Sequence, residues 1–198
     1  MRLRSLGILS LFFAVSSVFA VKIDGDLWGG YTFGIPSDAV TQACDKYPST
    51  GDDCRNGGFS FGASGSAALG KWFAAGVGIN YLSLYTGTLR YSTTQSLSMK
   101  TAYLPILAQL RFQARWFYTQ VGLGYAAALD TPKLTPYGNL NFNSSSPWAA
   151  MAELGVSLNI AETVSFLIAG KGFVFYNAET ATVSYAVTPI LGFRALLP

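Results

Sequence analysis

The fold is decided by the stretch GFSFGASGSAALG, residues 58–70, in which two kinds of side chain alternate. Phe59, Phe61 and Leu69 fall on one parity with alanine and glycine, whereas the other parity is mostly serine and glycine. Successive side chains of a β-strand point to opposite faces, so this pattern predicts one apolar face and one small, polar face. Neither face carries the charges that a soluble sheet presents to water. The apolar face is therefore predicted to contact lipid and the small face to line a barrel.

Seven other stretches alternate in the same way, although the faces of the seventh strand are the least distinct. The eight predicted strands cover residues 26–35, 58–70, 72–85, 99–112, 116–129, 148–159, 164–176 and 183–195. Their predicted lipid faces, which include Ala102 and Leu104, carry no charge. A charge that faces lipid at the bilayer midplane costs about 2–4 kcal/mol, so this segregation supports a sheet that spans a membrane.

The predicted connections alternate in length. Those after strands two, four and six are tight, whereas residues 36–57, 86–98 and 130–147 form long loops after strands one, three and five. This alternation is typical of outer-membrane barrels, with short periplasmic turns and longer external loops. The predicted fold class is therefore all-β, an eight-stranded antiparallel up-and-down transmembrane β-barrel. Pro105 and Pro189 lie inside strands and are expected to mark a bulge or a bend.

The N-terminus has the features of an export signal. A basic start with Arg2 and Arg4 precedes an apolar core, and small residues precede a cut after Ala20. A cleaved signal peptide is predicted at residues 1–20 and a single barrel domain at 21–198. Cleavage removes two of the 13 basic residues, which leaves near balance with the 10 acidic ones and favours no nucleic-acid partner.

Several charged and polar residues fall on the predicted inner face. The candidate lumen residues are Arg111, Gln120, Glu153, Lys171 and Arg194. We hypothesise that Glu153 pairs with Lys171 on the adjacent strand and that Asp24 or Asp26 meets Arg194 where the barrel closes; the alternative is solvated charges at the rim. Aromatic residues near strand ends, among them Trp28, Trp72, Trp116 and Trp148, suit the headgroup level of a membrane.

The two cysteines, Cys44 and Cys54, lie in the first long loop. An exported protein meets oxidising conditions, so a disulfide that closes this loop is predicted. Such a bridge lowers loop flexibility and makes this loop the best candidate contact surface. A metal site is a weak alternative, since two thiols without histidine form a poor ligand set.

The sequence gives little support for catalysis. It contains no histidine, which excludes a Ser-His-Asp triad and a histidine metal site. A glycine motif at residues 122–127 matches a dinucleotide fingerprint, but the predicted strand continues through it, where that fingerprint needs a turn into a helix. No enzyme activity, cofactor or metal is expected. A soluble lipocalin-like barrel would alternate with charges outside, and no charged face is present.

The segment YTQVGLGY, residues 118–125, is similar to a strand that recurs in small outer-membrane barrels. The chain resembles the eight-stranded family of the OmpA membrane domain, OmpX-type and opacity-type proteins, with OmpW-type barrels as the second choice. The resemblance implies a bacterial outer-membrane protein that displays extracellular loops, such as an adhesin or surface antigen. The alternative is a narrow porin-like channel for small or hydrophobic solutes.

The same resemblance implies a set of partners. They are outer-membrane lipid, the barrel assembly machinery and a host or extracellular ligand at the loops. Barrels of this family usually end on an aromatic residue that the assembly machinery recognises. This sequence ends in FRALLP, so Phe193, five residues before the end, is the candidate for that role.

Overall fold

The computed structural model of the chain describes residues 22–35, 53–90, 96–129, 133–135, 138–139, 147–178 and 181–197. For residues 35, 53–56, 85–90, 96–100, 133–135, 138–139 and 182 it describes the backbone alone. The predicted signal peptide at residues 1–20 and Cys44 lie outside these ranges. No helix in the described ranges is long and apolar enough to cross a membrane.

Eight long antiparallel strands form a closed barrel. They are β1 Ile23–Ile35, β2 Gly58–Ala68, β3 Phe73–Arg90, β4 Ser96–Ala114, β5 Phe117–Ala128, β6 Trp148–Asn159, β7 Val164–Asn177 and β8 Thr182–Leu197. Each strand pairs with its neighbours along the chain, and β1 pairs with β8 to close the sheet. The predicted fold class is confirmed.

The two faces of the strands divide as the alternation predicts. Phe59 is 82% exposed on the outer face of β2, whereas the adjacent Ser60 is buried inside. Every charged residue of β1–β8 whose side chain is described is buried within the barrel. The outer face of the described strands is therefore mainly apolar and carries no charge, which suits lipid. Ala102 is an exception to the predicted parity, since it is buried near the loop end of β4.

The β3–β4 hairpin extends well past the rest of the barrel. These strands have 18 and 19 residues, whereas about 9–11 residues are enough to span a membrane. The long loop predicted at residues 86–98 is therefore wrong over most of its length, because Thr86–Arg90 pairs with Ser96–Lys100 as a continuous ladder. At ~3.3 Å per residue, this hairpin projects roughly 20 Å beyond the neighbouring strands.

Short strands from the other two long loops add to this hairpin. Asp53–Asn56 pairs with β3 on one side, and Lys133–Thr135 pairs with β4 on the other. Gly138–Asn139 then pairs with Lys133 and Leu134. The result is a five-stranded sheet at the loop end, made of these three short strands and residues 85–90 and 96–101. We call it the projecting sheet.

The prolines do not form the predicted bulges. Pro105 and Pro189 each pair in register with one neighbouring strand, and the register on the other side is the same before and after the proline. The bulge in the β3–β4 ladder lies instead at Leu84, between Ser83 and Tyr85. Each proline therefore leaves a gap in one ladder, since it has no N–H to donate.

We expect an arginine on the outer face to destabilise the barrel according to its depth. Val121 and Phe117 both lie on the outer face of β5 with similar exposure, 53% and 54%, but Val121 is nearer the strand centre. Val121→Arg should lower the free energy of unfolding by about 2–4 kcal/mol and Phe117→Arg by only about 0–1 kcal/mol. Urea unfolding in lipid vesicles, followed by the mobility shift of unboiled protein on a gel, measures both. Equal costs would contradict a lipid-facing surface.

Candidate functional site

The barrel interior is the region where polar and charged side chains converge, and it has two layers. Between the end with the tight turns and the middle of the barrel lie six buried charged residues, which we call the charged layer: Asp24, Asp26, Arg111, Glu153, Lys171 and Arg194. Nearer the loop end lies an apolar layer that includes Leu82, Leu84, Leu107, Phe173 and Phe175. The layers follow from inward parity, since β1, β4 and β8 carry their charges near the turn end, whereas Glu153 of β6 and Lys171 of β7 lie near the middle of their strands.

Two guanidinium groups hold the carboxylates of β1. Arg111 donates from both terminal nitrogens to Asp24, with Nη1 2.9 Å from Oδ1, and its Nη1 lies 3.5 Å from Oδ2 of Asp26. Arg194 donates from Nε and Nη2 to Asp26 at 2.7 and 2.9 Å. Its third nitrogen, Nη1, donates to Oε1 of Gln113 at 2.9 Å. Bidentate pairing of this kind is the strong form of a charge-assisted hydrogen bond.

The second part of the charged layer is built on β6 and β7. Lys171 and Glu153 are directly opposite in the ladder, and Nζ lies 3.0 Å from Oε2. Tyr118 donates its hydroxyl to the other carboxylate oxygen at 2.6 Å. The Arg194 guanidinium stacks over the ring of Tyr118 at 4.8 Å, which joins the two parts into one network.

Trp28 is not at the membrane interface, where its position near a strand end suggested it would be. Its side chain is 5% exposed inside the barrel, and Lys171 Nζ lies 4.4 Å from the centre of its ring. The inward parity of β1, which also carries Asp24 and Asp26, places it there. Trp72, Trp116 and Trp148 are about half exposed on the outside, as a headgroup position requires.

The charged layer is electrically balanced, with three acidic and three basic side chains. Removing charges from water costs several kcal/mol per ion, and good geometry with further hydrogen bonds offsets that cost. Each carboxylate here has a cationic partner and at least one oxygen engaged by a second donor or cation. The charged groups are therefore paired with one another. In the described ranges, no three side chains that could hold a metal ion are grouped.

The small inner faces of β2 and β3 are covered by larger side chains from their neighbours. The indole of Trp28 lies over Gly62, where an added Cβ would be 2.7 Å from the ring. The amide of Gln109 lies over Gly78, where an added Cβ would be 2.3 Å from Nε2. Gln120, one of the predicted lumen residues, is buried and donates to Gln109 Oε1 at 2.6 Å. The glycines therefore accommodate large neighbours instead of opening a pore.

The loop end of the interior is closed by apolar and hydroxyl groups. Leu82 and Leu107 are completely buried, and the rings of Phe173 and Phe175 stack nearly parallel, 6.2 Å apart. Beside them, Thr32 forms hydrogen bonds with Ser60 at 2.6 Å and with Thr188 at 2.7 Å. Toward the loop end, the described interior is filled by side chains, as expected of eight strands.

The structure adds contacts that sequence reasoning did not find. Arg111 was predicted to face the lumen, but its partner Asp24 lies on a strand that is not its neighbour. The contact with Arg194 that the sequence analysis hypothesised for Asp24 or Asp26 is formed by Asp26, which lies directly opposite Arg194 where β1 meets β8. Cys54 lies in a short strand whose backbone pairs with Gly87. Because Cys44 lies outside the described residues, the Cys44–Cys54 disulfide stays a prediction.

No protein-family model and no curated protein matches the sequence. Solved structures do match the fold, and neisserial surface protein A superposes with a TM-score of 0.51 at 12% identity, covering 88% of this chain and 97% of that chain. The chain has the fold of an outer-membrane β-barrel. Ail, the attachment invasion locus protein of Yersinia pestis, matches with a TM-score of 0.49 at 13% identity, covering 88% and 98%. The outer membrane protease OmpT of Escherichia coli matches with 0.42 at 10%, covering 89% and 97%. At such low identities, this likeness shows the fold and leaves the activity open.

We expect removal of one charge of the Glu153–Lys171 pair to destabilise the protein more than removal of both charges. Lys171→Met leaves a buried carboxylate without its cation and should lower the free energy of unfolding by about 3–5 kcal/mol. The double variant Glu153→Gln/Lys171→Met removes both charges and should recover most of that loss. A double-mutant cycle measured by urea unfolding gives the coupling energy. If the single and double variants are equally unstable, the ion pair is not the source of the effect.

Proposed function

We propose that this protein is a bacterial outer-membrane barrel that presents an extracellular contact surface and does not conduct solutes. The observation that carries the proposal is the projecting sheet. A barrel needs no strand longer than its membrane-spanning part, yet β3 and β4 extend well beyond it and pair with segments of both other long loops. The extension therefore serves something outside the membrane.

The projecting sheet suits a role in binding because its backbone is ordered before any partner arrives. Loops that lose freedom on binding reduce affinity, whereas a paired sheet avoids much of that cost. Among the described residues, its outermost short strands each pair on one side only, and an extended segment of a partner can pair with such an edge. The ligand class proposed is an extracellular or host surface protein.

A narrow channel is the second candidate, and the small inner faces of β2 and β3 favour it. Trp28 and Gln109 cover the glycines there, and the apolar layer crosses the interior above them. These contacts support a closed interior as the better proposal. A non-enzymatic role is proposed on the same basis, because the buried carboxylates are all paired with cations and the sequence has no histidine.

The remaining parts of the proposal concern export and assembly. Residues 1–20 act as a cleaved signal peptide, and the barrel assembly machinery inserts the mature domain, residues 21–198. The Cys44–Cys54 bridge would tether the first loop to the projecting sheet, since Cys54 lies in the short strand that pairs with β3. Such a bridge would hold the predicted contact loop near the projecting hairpin.

We expect shortening of the hairpin to abolish adhesion without harming the barrel. Gly87 and Met99 are opposite each other, so replacing residues 88–98 with Asn-Gly closes a two-residue turn at that point. Bacteria that display this variant should lose binding to epithelial cells and to matrix-coated plates. Unboiled protein on a gel should still migrate as a folded barrel, because β4 keeps its pairing with β5.

A matched variant separates the two parts of the surface. Replacing residues 45–53 with a short Gly-Ser linker alters the cysteine loop but leaves the hairpin intact. If adhesion depends on the projecting sheet, this variant should retain part of the binding that the shortened hairpin loses. Full binding by the shortened-hairpin variant would contradict the proposed contact surface.

We expect the folded protein to be silent in planar lipid bilayers. The apolar layer and the covered glycines leave no continuous polar path through the described interior. As a control for insertion, the double variant Trp28→Ala/Phe173→Ala removes two of the largest interior rings and should raise the frequency of current steps. Steady openings of the unmodified protein would favour the channel.

A further inference from the structure

A basic cavity opens at the turn end of the barrel, away from the projecting sheet. Its volume is about 590 Å³, and its walls come from the start of β1, the β2–β3 turn and the β4–β5 turn. The cationic side chains that line it are Lys22, Lys71, Arg111 and Arg115. Asp24 is the acidic residue in the lining, and its carboxylate is already engaged by Arg111 and Ser66.

The three outer cations are fixed relative to one another through the backbone. Lys22 accepts a hydrogen bond at its carbonyl from Ala68 N at 2.9 Å, which ties it to the end of β2. The Trp72 carbonyl accepts from Gln113 N at 2.9 Å, which ties the two turns together. The turns therefore hold Lys71 and Arg115 on adjoining walls of one cavity instead of on independent loops.

These outer cations carry charge that no carboxylate of the described residues neutralises. Lys71 lies over the ring of Trp72 at 5.1 Å and Arg115 over that of Trp116 at 5.8 Å, contacts that orient a cation without cancelling its charge. The third turn of this end carries Glu162, which does not line the cavity. The turn end thus has a basic half, at the turns that carry Lys71 and Arg115, and a second half, at the turn that carries Glu162.

The depth of the cavity matches the headgroup region of a bilayer. Trp72 lines the cavity and is 45% exposed, and Trp116 in the neighbouring turn is 49% exposed. Amphipathic indoles of this kind locate the boundary between acyl chains and headgroups. Cations that lie at this level meet the phosphates of lipid headgroups, for which lysine and arginine are the usual ligands.

We propose that this cavity binds one phosphate-bearing anion, with the headgroup of an anionic phospholipid as its occupant. Lys71, Arg115 and Lys22 contact the phosphate, while the ion pair of Arg111 and Asp24 forms the floor of the cavity. The proposal does not depend on the function proposed for the loop end. Free phosphate shares the same chemistry, so the experiment distinguishes the two sources.

The test uses the folded barrel in neutral detergent micelles at low ionic strength. Dihexanoyl phosphatidylglycerol is titrated and bound lipid is counted by native mass spectrometry, with dihexanoyl phosphatidylcholine as the neutral comparison. We expect one phosphatidylglycerol to bind saturably, and Lys71→Gln/Arg115→Gln to weaken it by about tenfold or more. The exchange variant Lys71→Arg/Arg115→Lys should retain binding.

Inorganic phosphate is added as competitor: displacement of the lipid indicates that phosphate alone suffices, and no displacement indicates a lipid site.

A charge-matched variant separates a built site from general attraction. Lys71→Gln/Arg115→Gln/Glu162→Lys has the net charge of the unmodified protein, but its new cation lies on the other half of the turn end. We expect this variant to bind as weakly as the double variant. Recovery of binding would overturn the proposal, as would equal binding of the two lipids or the absence of saturation.

Discussion

The structure depends on one constraint, that a backbone amide in lipid has no water to bond with. Each unpaired N–H or C=O in the hydrocarbon costs several kcal/mol, so a sheet in a membrane has to close on itself. Here the closing ladder runs from Ile23 opposite Leu197 to Ile35 opposite Tyr185. Asp26 and Arg194 are opposite each other within that seam and are hydrogen-bonded at 2.7 and 2.9 Å. An ion pair that is shielded from water therefore spans the join between the first and last strands.

Closing eight strands also fixes the width of the interior, and this width explains which side chains meet. Arg111 on β4 reaches Asp24 on β1 across the barrel, although two strands separate them in the sheet. In an interior so narrow, large side chains fit only where their neighbours are small, as with Trp28 over Gly62 and Gln109 over Gly78. Buried charges are tolerated because three acids meet three bases within one network. The inner glycines thus make room for large side chains in a narrow interior, and the pairing of charges compensates for the loss of water there.

The same physics explains how much the sequence could predict. Alternation located all eight barrel strands, and the strand at Trp148–Asn159 agrees to the residue, because lipid on one side and a packed interior on the other enforce a period of two. Glu153 and Lys171 share the inward parity on adjacent strands, which is why the sequence could pair them. Counting from a turn at residues 160–163 would place residue 153 opposite residue 170, whereas the ladder places it opposite 171. Arg111 and Asp24 could not be paired in this way, because counting along hairpins does not measure distance across a closed barrel. The sequence does not predict strands at residues 86–98, because a strand beyond the membrane needs no apolar face that would reveal it.

The two ends of the barrel are consequently less constrained in sequence than its membrane-spanning part, and they differ in the surfaces they present. Inside the membrane each side chain is constrained by lipid or by the filled interior, which leaves little room for recognition. Beyond the membrane, the backbone ladder of the projecting sheet supplies order without lipid on one face or a barrel interior on the other. At the opposite end the turns are too short to reach far, so their cations stay at the headgroup level, where Trp72 and Trp116 lie. A closed centre therefore separates a surface suited to extracellular contacts from a rim suited to the membrane itself.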